Sequence, residues 1–332
     1  MPATFIWAGT EDIYFQNATL PQVITTPGYF RGGTPGFSRC CLSQPSGGGN
    51  GLKGNHIPVS GVGITSCWFS CYNRFVQVPV ASVRGPGLGD FVFNGGVFVG
   101  TGPDSPYQVA FYAYDSGITT LLHKESGTSF TSALQKIDVE IIGPMHTATV
   151  NIYIDLVLVD SFTADLGISG LAGFDCAVVG PSPQWGISEF VICDLDTRNF
   201  DVFSQYGIAN GDTDQWTGTY SDYNEVQIND VSAVFTNTPA QDEQALGASL
   251  PVGAFSIIGC NEVVRFTKAV GSSVGTLKLG VKTNSAINVD GGHSATTAWA
   301  QAERAMILNP VTGIAWTPAE INALQIDIQS AT

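Results

Sequence analysis

The chain has 332 residues, 13 Lys and Arg against 28 Asp and Glu, a formal net charge of -15 and only 12% charged residues, about half the usual quarter. Its length accommodates about two ordinary domains, its scattered basic residues give no footprint for nucleic acid or anionic membrane, and no apolar run approaches the roughly 18 residues of a membrane span. At 44% apolar the chain can build a core, and so few charges predict a surface covered by neutral polar groups or hidden against other subunits, the second being favoured.

The first 58 residues carry little periodicity. Gly-Gly-Thr-Pro-Gly stands at 32 to 36 and Ser-Gly-Gly-Gly-Asn-Gly at 46 to 51, so residues 1–58 are expected to form an extended arm that orders against a neighbouring subunit. Glu11 and Asp12 interrupt the start before an apolar stretch develops, and no secretory signal is expected. Seven cysteines, Cys40, Cys41, Cys67, Cys71, Cys176, Cys193 and Cys260, fit no disulfide framework and point to maturation in a reducing cytoplasm. With His56 the first four still miss the usual zinc spacings. Cys67, Phe69 and Cys71 share one strand face, which predicts buried free thiols.

From residue 59 onward short runs bounded by Gly, Pro, Asp and Asn recur, the pattern of packed antiparallel strands. Val109 to Tyr114 and Ile118 to Leu122 read as a hairpin with the three-residue loop Asp115-Ser116-Gly117. Lys136 to Ile141 alternates charged and branched residues, which predicts one wet and one buried face. Val150 to Asp155 alternates likewise, and the continuous Leu156-Val157-Leu158-Val159 predicts a hairpin running into the core. Glu189 to Cys193 is a further strand, and the Asp194-Leu195-Asp196-Thr197-Arg198 segment closes a first domain at 59–198. Glu189 and Asp194, five apart, fall on opposite strand faces and so do not make a glycosidase pair. His123, His146 and His293 have no Ser or Cys motif beside them, and no nucleotide-binding loop is present; no catalytic residue is assigned and the chain is not expected to be an enzyme.

Residues 199–332 form a second β-rich domain. Between Arg198 and Arg265 there is no Lys or Arg. Asn210, Asp212 and Asp214 alternate oxygen-bearing side chains as a candidate calcium loop, set against a plain Asx-rich turn. Trp216, Tyr220 and Tyr223, interleaved with Asp222, form a candidate glycan-binding surface in which rings stack on sugars and the carboxylate takes hydroxyls. Thr317-Pro318-Ala319-Glu320 is a capping box that predicts one short helix to about Leu324. The fold class is therefore all-β: an antiparallel jelly-roll sandwich followed by a second β-rich sandwich with one short C-terminal helix.

The order Cys67-Trp68-Phe69, Ile152-Tyr153-Ile154-Asp155, Trp185-Gly186-Ile187-Ser188-Glu189-Phe190-Val191-Ile192 resembles the laminin-G or concanavalin-A-like jelly roll of tailed-bacteriophage virion proteins. Such domains carry Tyr-x-Asp-Gly at the central hairpin; Leu156 after Asp155 predicts a different turn here. Asp194, Asp196-Thr197-Arg198, then Asp214, Trp216-Thr217-Gly218 and Trp316-Thr317-Pro318-Ala319 are similar to phage tail-associated structural proteins. The resemblance implies a virion component assembled in the host cytoplasm, a peripheral tail or baseplate protein that contacts other virion proteins, copies of itself as a trimer, and a host-surface glycan. A capsid decoration protein or head fibre, and a glycan-binding lectin module, are the alternatives. From composition and spacing, no nucleic acid, no membrane insertion and no cofactor beyond the candidate calcium are expected.

Overall fold

A computed structural model describes residues 6–9, 22–24, 41–43, 52–53, 57–58, 66–75, 84–90, 95–102, 105, 107–115, 118–166, 173–178, 185–222, 224, 230–253 and 255–332. The chain divides into two compact units, with the passage from one to the other between Val202 and Phe203, slightly past the expected 198/199.

The first unit contains β1 (Ile6–Gly9), β2 (Gln22–Ile24), β3 (Cys41–Ser43), β4 (Leu52–Lys53), β5 (Ile57–Pro58), β6 (Ser66–Phe75), β7 (Arg84–Asp90) and β8 (Gly95–Thr101). It continues with β9 (Val109–Asp115), β10 (Ile118–Lys124), β11 (Gln135–Ile142), β12 (Ala148–Ile154), β13 (Val157–Ala164), β14 (Gly173–Val178) and β15 (Trp185–Cys193). All pairs are antiparallel. One sheet runs β13-β12-β11-β6-β15-β3-β2 with β1 on β15, and the other β10-β9-β8-β7-β14-β4 with β5 on β14. The expected arm thus contributes five short strands that pair into these two sheets rather than standing apart.

Alternation builds the core. Phe69, Ile137, Val139, Ile141, Ile152 and Ile192 all point to one face of the first sheet and are buried, with Phe69 stacked on Phe190 at 6.3 Å between ring centroids. Cys67 and Cys71 join them as free thiols, as the shared parity of 67, 69 and 71 predicts. Cys40 lies outside the described residues.

Several local expectations change. Asp115 pairs with Ile118, so the first hairpin is joined by two residues, 116 and 117, rather than three. The β12–β13 hairpin does not run into the core: β13 is the outermost strand of its sheet, and Val157 and Leu158 are 63% and 51% exposed. Its turn keeps the left-handed backbone that Asp-Gly would favour, with φ of 49° at Asp155 and 73° at Leu156, a two-residue loop matched to strand twist. The different turn expected there is not found. In β15 the register slips between Ser188 and Val191 and Glu189 has φ of 53°. This bulge breaks the alternation, so parity does not decide the relative directions of Glu189 and Asp194.

The second unit contains β16 (Gly207–Asp214), β17 (Asp242–Gly247), β18 (Cys260–Phe266), β19 (Thr276–Thr283), β20 (Ala286–Val289), β21 (His293–Ser294), β22 (Ala300–Met306), the helix α1 (Pro318–Asn322) and β23 (Gln325–Ala331). Its main sheet runs β16-β17-β23-β19-β20 with β21 on β19, and β18 pairs with β22 as a separate ribbon. Val281 of the sheet packs with Met306 of the ribbon, Trp316, Ile321 and Leu324, while Leu279 packs with Phe266 and Ala302. Helix α1 starts as its sequence dictates. The Thr317 hydroxyl accepts from the Glu320 amide at 3.2 Å, and Glu320 accepts from the Thr317 amide at 2.9 Å. Among the described residues no helix is long and apolar enough to cross a membrane.

Candidate functional site

The alternation in β11 has a second outcome that the sequence does not announce. The face expected to be wet carries Lys136, Asp138 and Glu140, yet Lys136 and Asp138 are buried. The cover is the segment after β15. The Lys136 ammonium donates to the carbonyl oxygens of Thr197 at 2.7 Å, Arg198 at 3.0 Å and Phe200 at 2.7 Å. The Thr197 hydroxyl donates to Asp138 Oδ1 at 2.7 Å, and Lys136 Nζ lies 3.7 Å from the same oxygen. Burial pushes the Asp138 carboxyl upward, with Lys136 and Thr197 pulling the other way. A lysine whose three donors all meet carbonyls closes a strap over the sheet without leaving those carbonyls orphaned.

The strap delivers Arg198. Its guanidinium carbon sits 4.6 Å from the Tyr153 ring centroid and 5.5 Å from that of Trp68, a cation–π geometry. Asp196 fixes it through both carboxylate oxygens, with Nε at 2.9 Å from Oδ1 and Nη2 at 2.5 Å from Oδ2; those bonds hold the Asp196 carboxyl below its ordinary range. Trp68 from β6 and Tyr153 from β12 stack at 5.7 Å with 22° between planes, meeting over the intervening strand β11.

Beside this stack runs a polar row across three adjacent strands. Trp68 stands opposite Glu140, Glu140 opposite Asn151 and Asn151 opposite Ser161. Asn151 Nδ2 donates to Glu140 Oε2 at 2.8 Å, and the Ser161 hydroxyl donates to Asn151 Oδ1 at 2.7 Å. Burial, then the Glu140 carboxylate, pushes the Tyr153 phenol upward. Tyr153, Arg198, Glu140 and Asn151 are half-buried and Ser161 is exposed. Trp68 is buried at 5% exposure, so the shelf presents the Tyr153 ring and the Arg198 guanidinium beside a hydrogen-bonding row, a combination suited to a sugar ring and its hydroxyls.

The residues singled out from the sequence occupy the second unit. The segment 207–214 is strand β16 rather than a loop. Asn210 Nδ2 donates to Asp214 Oδ2 at 2.5 Å, and Asp212 Oδ2 pairs with the Lys282 ammonium at 2.5 Å, which depresses the Asp212 carboxyl. The candidate calcium donors are thus engaged with one another and with an ammonium, and among the described residues no His, Cys, Asp and Glu group is arranged to hold a metal. Tyr220 and Asp222 lie in a single 3-10 turn: the Tyr220 amide donates to Asn210 Oδ1 at 3.2 Å, and Asp222 accepts from the Thr219 amide at 2.8 Å. Trp216 packs against the Phe266, Leu277, Leu279 and Ala302 cluster, with its indole N–H donating to the Gln241 carbonyl at 3.3 Å. Tyr223 lies outside the described residues. Asn210, Asp214, Tyr220 and Asp222 come together, while the half-buried Trp216 lies against the hydrophobic cluster.

The shelf residues Glu140, Asn151, Tyr153, Ser161, Asp196 and Arg198 were not among those candidates. The signal available was the polar, aromatic set at outward positions of β11 and β12, read instead as solvated strand faces.

No protein-family model matches the chain and no curated protein matches its sequence. Among solved structures it is similar to domain 4 of AbnA, an extracellular arabinanase from Geobacillus stearothermophilus in complex with arabinotriose, at 14% identity over 57% of this chain and 82% of that one, with a TM-score of 0.34. It is similar to the carbohydrate-binding module CBM66 from Bacillus subtilis, at 12% identity over 48% and 93% with a TM-score of 0.28. It is also similar to the CBM2 module of the evolved Dit of Lactobacillus casei BL23 phage J-1, at 16% identity over 59% and 97% with a TM-score of 0.34.

Proposed function

We propose that this chain is a bacteriophage virion structural protein, a peripheral tail or baseplate component, that binds host-surface glycan through the shelf of its first unit and does not cleave it. The observation that carries the binding reading is the Trp68–Tyr153 stack at 5.7 Å with Arg198 laid over both rings, beside the Glu140–Asn151–Ser161 row. Tyr153 and Arg198 supply a flat face and the row supplies hydrogen-bonding groups, which together can orient a ring. The virion address rests on the sequence resemblance and on the sparse surface charge. The exposed Val157 and Leu158 edge supports a homo-oligomer, of which the trimer is the preferred form.

Immunogold labelling of intact particles, with mass spectrometry of their proteins, tests the address. Label at the tail tip supports the reading, regular label over the head moves it to capsid decoration, and particles lacking the protein overturn it. Incubation with host envelope polysaccharide tests the chemistry: retention without release of reducing ends is expected, and reducing-end release would contradict a purely binding role.

A further inference from the structure

We infer that the second unit carries a ring-binding site of its own, on the outer face of its β18–β22 ribbon, that takes a sugar ring of the same host-surface glycan. The ligand class rests on the glycan-binding reading of the shelf in the first unit, whereas the site itself stands on residues which that reading does not use.

The ribbon has an inner and an outer face. Val264, Phe266, Ala300 and Ala302 pack with Leu277 and Leu279 of the main sheet, and Arg304 donates to the carbonyl oxygens of Leu279 at 3.0 Å and Asn288 at 2.8 Å. Alternation therefore turns Asn261, Arg265, Gln301 and Glu303 to the opposite face, and Trp299 directly precedes β22. There the Arg265 guanidinium carbon lies 5.3 Å from the Trp299 ring centroid. Asp230 holds that guanidinium by a fork, accepting from Nε at 2.7 Å and from Nη2 at 2.8 Å. Along the same face Asn261 Nδ2 donates to Glu303 Oε1 at 2.6 Å, and Gln301 stands opposite Arg265.

An arginine over a ring is common by itself; the recurrence of the whole set is what points to a ligand. In the first unit too, a guanidinium forked by an aspartate lies over aromatic rings, beside an asparagine that donates to a glutamate on the adjacent strand. The two sets belong to different sheets of different units, so neither follows from the packing of the other. The Arg265 and Asp230 side chains keep 28% and 36% of their surface in solvent and Trp299 is half-buried, which places ring and fork within reach of a ligand. Each carboxylate oxygen has two lone pairs, so Asp230 and Glu303 can accept from sugar hydroxyls while keeping these partners. Two such sites on one chain gain from effective concentration on a repetitive polysaccharide, and a variant left with one should hold a cell surface about a hundredfold more weakly.

The test is equilibrium dialysis of the full-length protein against end-labelled tri- to hexasaccharides released from host envelope polysaccharide by partial hydrolysis. The variants are Tyr153→Ala, Trp299→Ala, the two combined, and Arg265→Lys, which keeps the charge and loses the planar fork. The wild-type chain is expected to bind two equivalents, Tyr153→Ala and Trp299→Ala one each, and the double variant none. Arg265→Lys should weaken one of the two equivalents by about tenfold. Two equivalents of unchanged affinity in Trp299→Ala or Arg265→Lys would overturn the second site. A single wild-type equivalent that Tyr153→Ala removes would overturn it as well and leave the shelf a glycan site. A single equivalent kept in Tyr153→Ala and lost in Trp299→Ala would instead remove the shelf reading and uphold the ribbon site, and no binding at all would overturn both.

Discussion

The Lys136 ammonium lies 2.7 Å from the backbone carbonyl oxygen of Thr197, 61 positions further along the chain. With Arg198 and Phe200 it gathers three carbonyls of one segment, and through Thr197 and Asp138 it ties them to the middle of a sheet. That clamp sets Arg198 over Tyr153 and Trp68, so the shelf depends on a lysine that does not line it.

Replacing Lys136 by Met should therefore cost more than a surface charge would. Asp138 would remain buried without its cation and the carbonyls of Arg198 and Phe200 would lose their donor, that of Thr197 keeping the Phe200 amide at 2.8 Å, a loss of about 3–5 kcal/mol. Urea denaturation of the first unit measures it. Tyr153 fluorescence and glycan binding should fall together in the variant, because Arg198 loses its anchor.

The turn at Asp155 and Leu156 makes an opposite prediction. Leu156 holds φ at 73° with a mostly exposed side chain, so it bears the left-handed penalty with little packing in return. Leu156→Gly should stabilise the first unit by about 1 kcal/mol after the added entropy of glycine is subtracted. The midpoint of the same urea transition reads this directly.

In the second unit Asp327 is buried on β23, accepting from Gln244 at 2.7 Å, and burial raises its carboxyl from 3.8 to about 6. The folded state then holds the proton more tightly than the unfolded state does. Its contribution is fully favourable below pH 3.8, declines as pH rises, and is lost above about 6. Asp327→Asn should leave stability near pH 3.5 almost unchanged and raise it at pH 7.5 by up to about 2 kcal/mol. Thermal melts of the two proteins at both pH values check the sign.

Thr317→Ala removes the hydroxyl that accepts from the Glu320 amide and should cost the second unit about 1 kcal/mol. Thr317→Ser keeps the acceptor and should restore most of it, as denaturation of the two variants would record.

Burial raises the thiols of Cys67, Cys71 and Cys193, and pushes that of Cys260 up to about 12. Peptides containing these four residues should escape iodoacetamide at pH 8 in the native protein and be labelled fully in denaturant. Mass spectrometry after timed alkylation distinguishes the two states.

The all-β class, the capping box and the inward parity of Cys67, Phe69 and Cys71 were legible because each depends on neighbours in sequence. The dry polar face of β11 was not, since it is covered by a segment from Thr197 to Phe200 that no local period connects to Lys136. The same long-range contact hid the shelf: Trp68, Glu140, Asn151 and Ser161 come from four strands and align only once registers are set. Trp216 shows a long-range contact of the same kind. Its acidic and aromatic neighbours suggested an open surface, and the structure lays the half-buried indole against the cluster of Phe266 and Leu277.

Competition for adsorption tests the central claim most directly. Purified full-length protein, added to host cells before the particles, should reduce adsorption in proportion to occupancy, and Tyr153→Ala at the same concentration should leave adsorption close to that of untreated cells. Equal protection by both proteins, with the variant shown to be folded, or no protection at saturating wild-type protein, would contradict attachment through the Trp68–Tyr153 shelf.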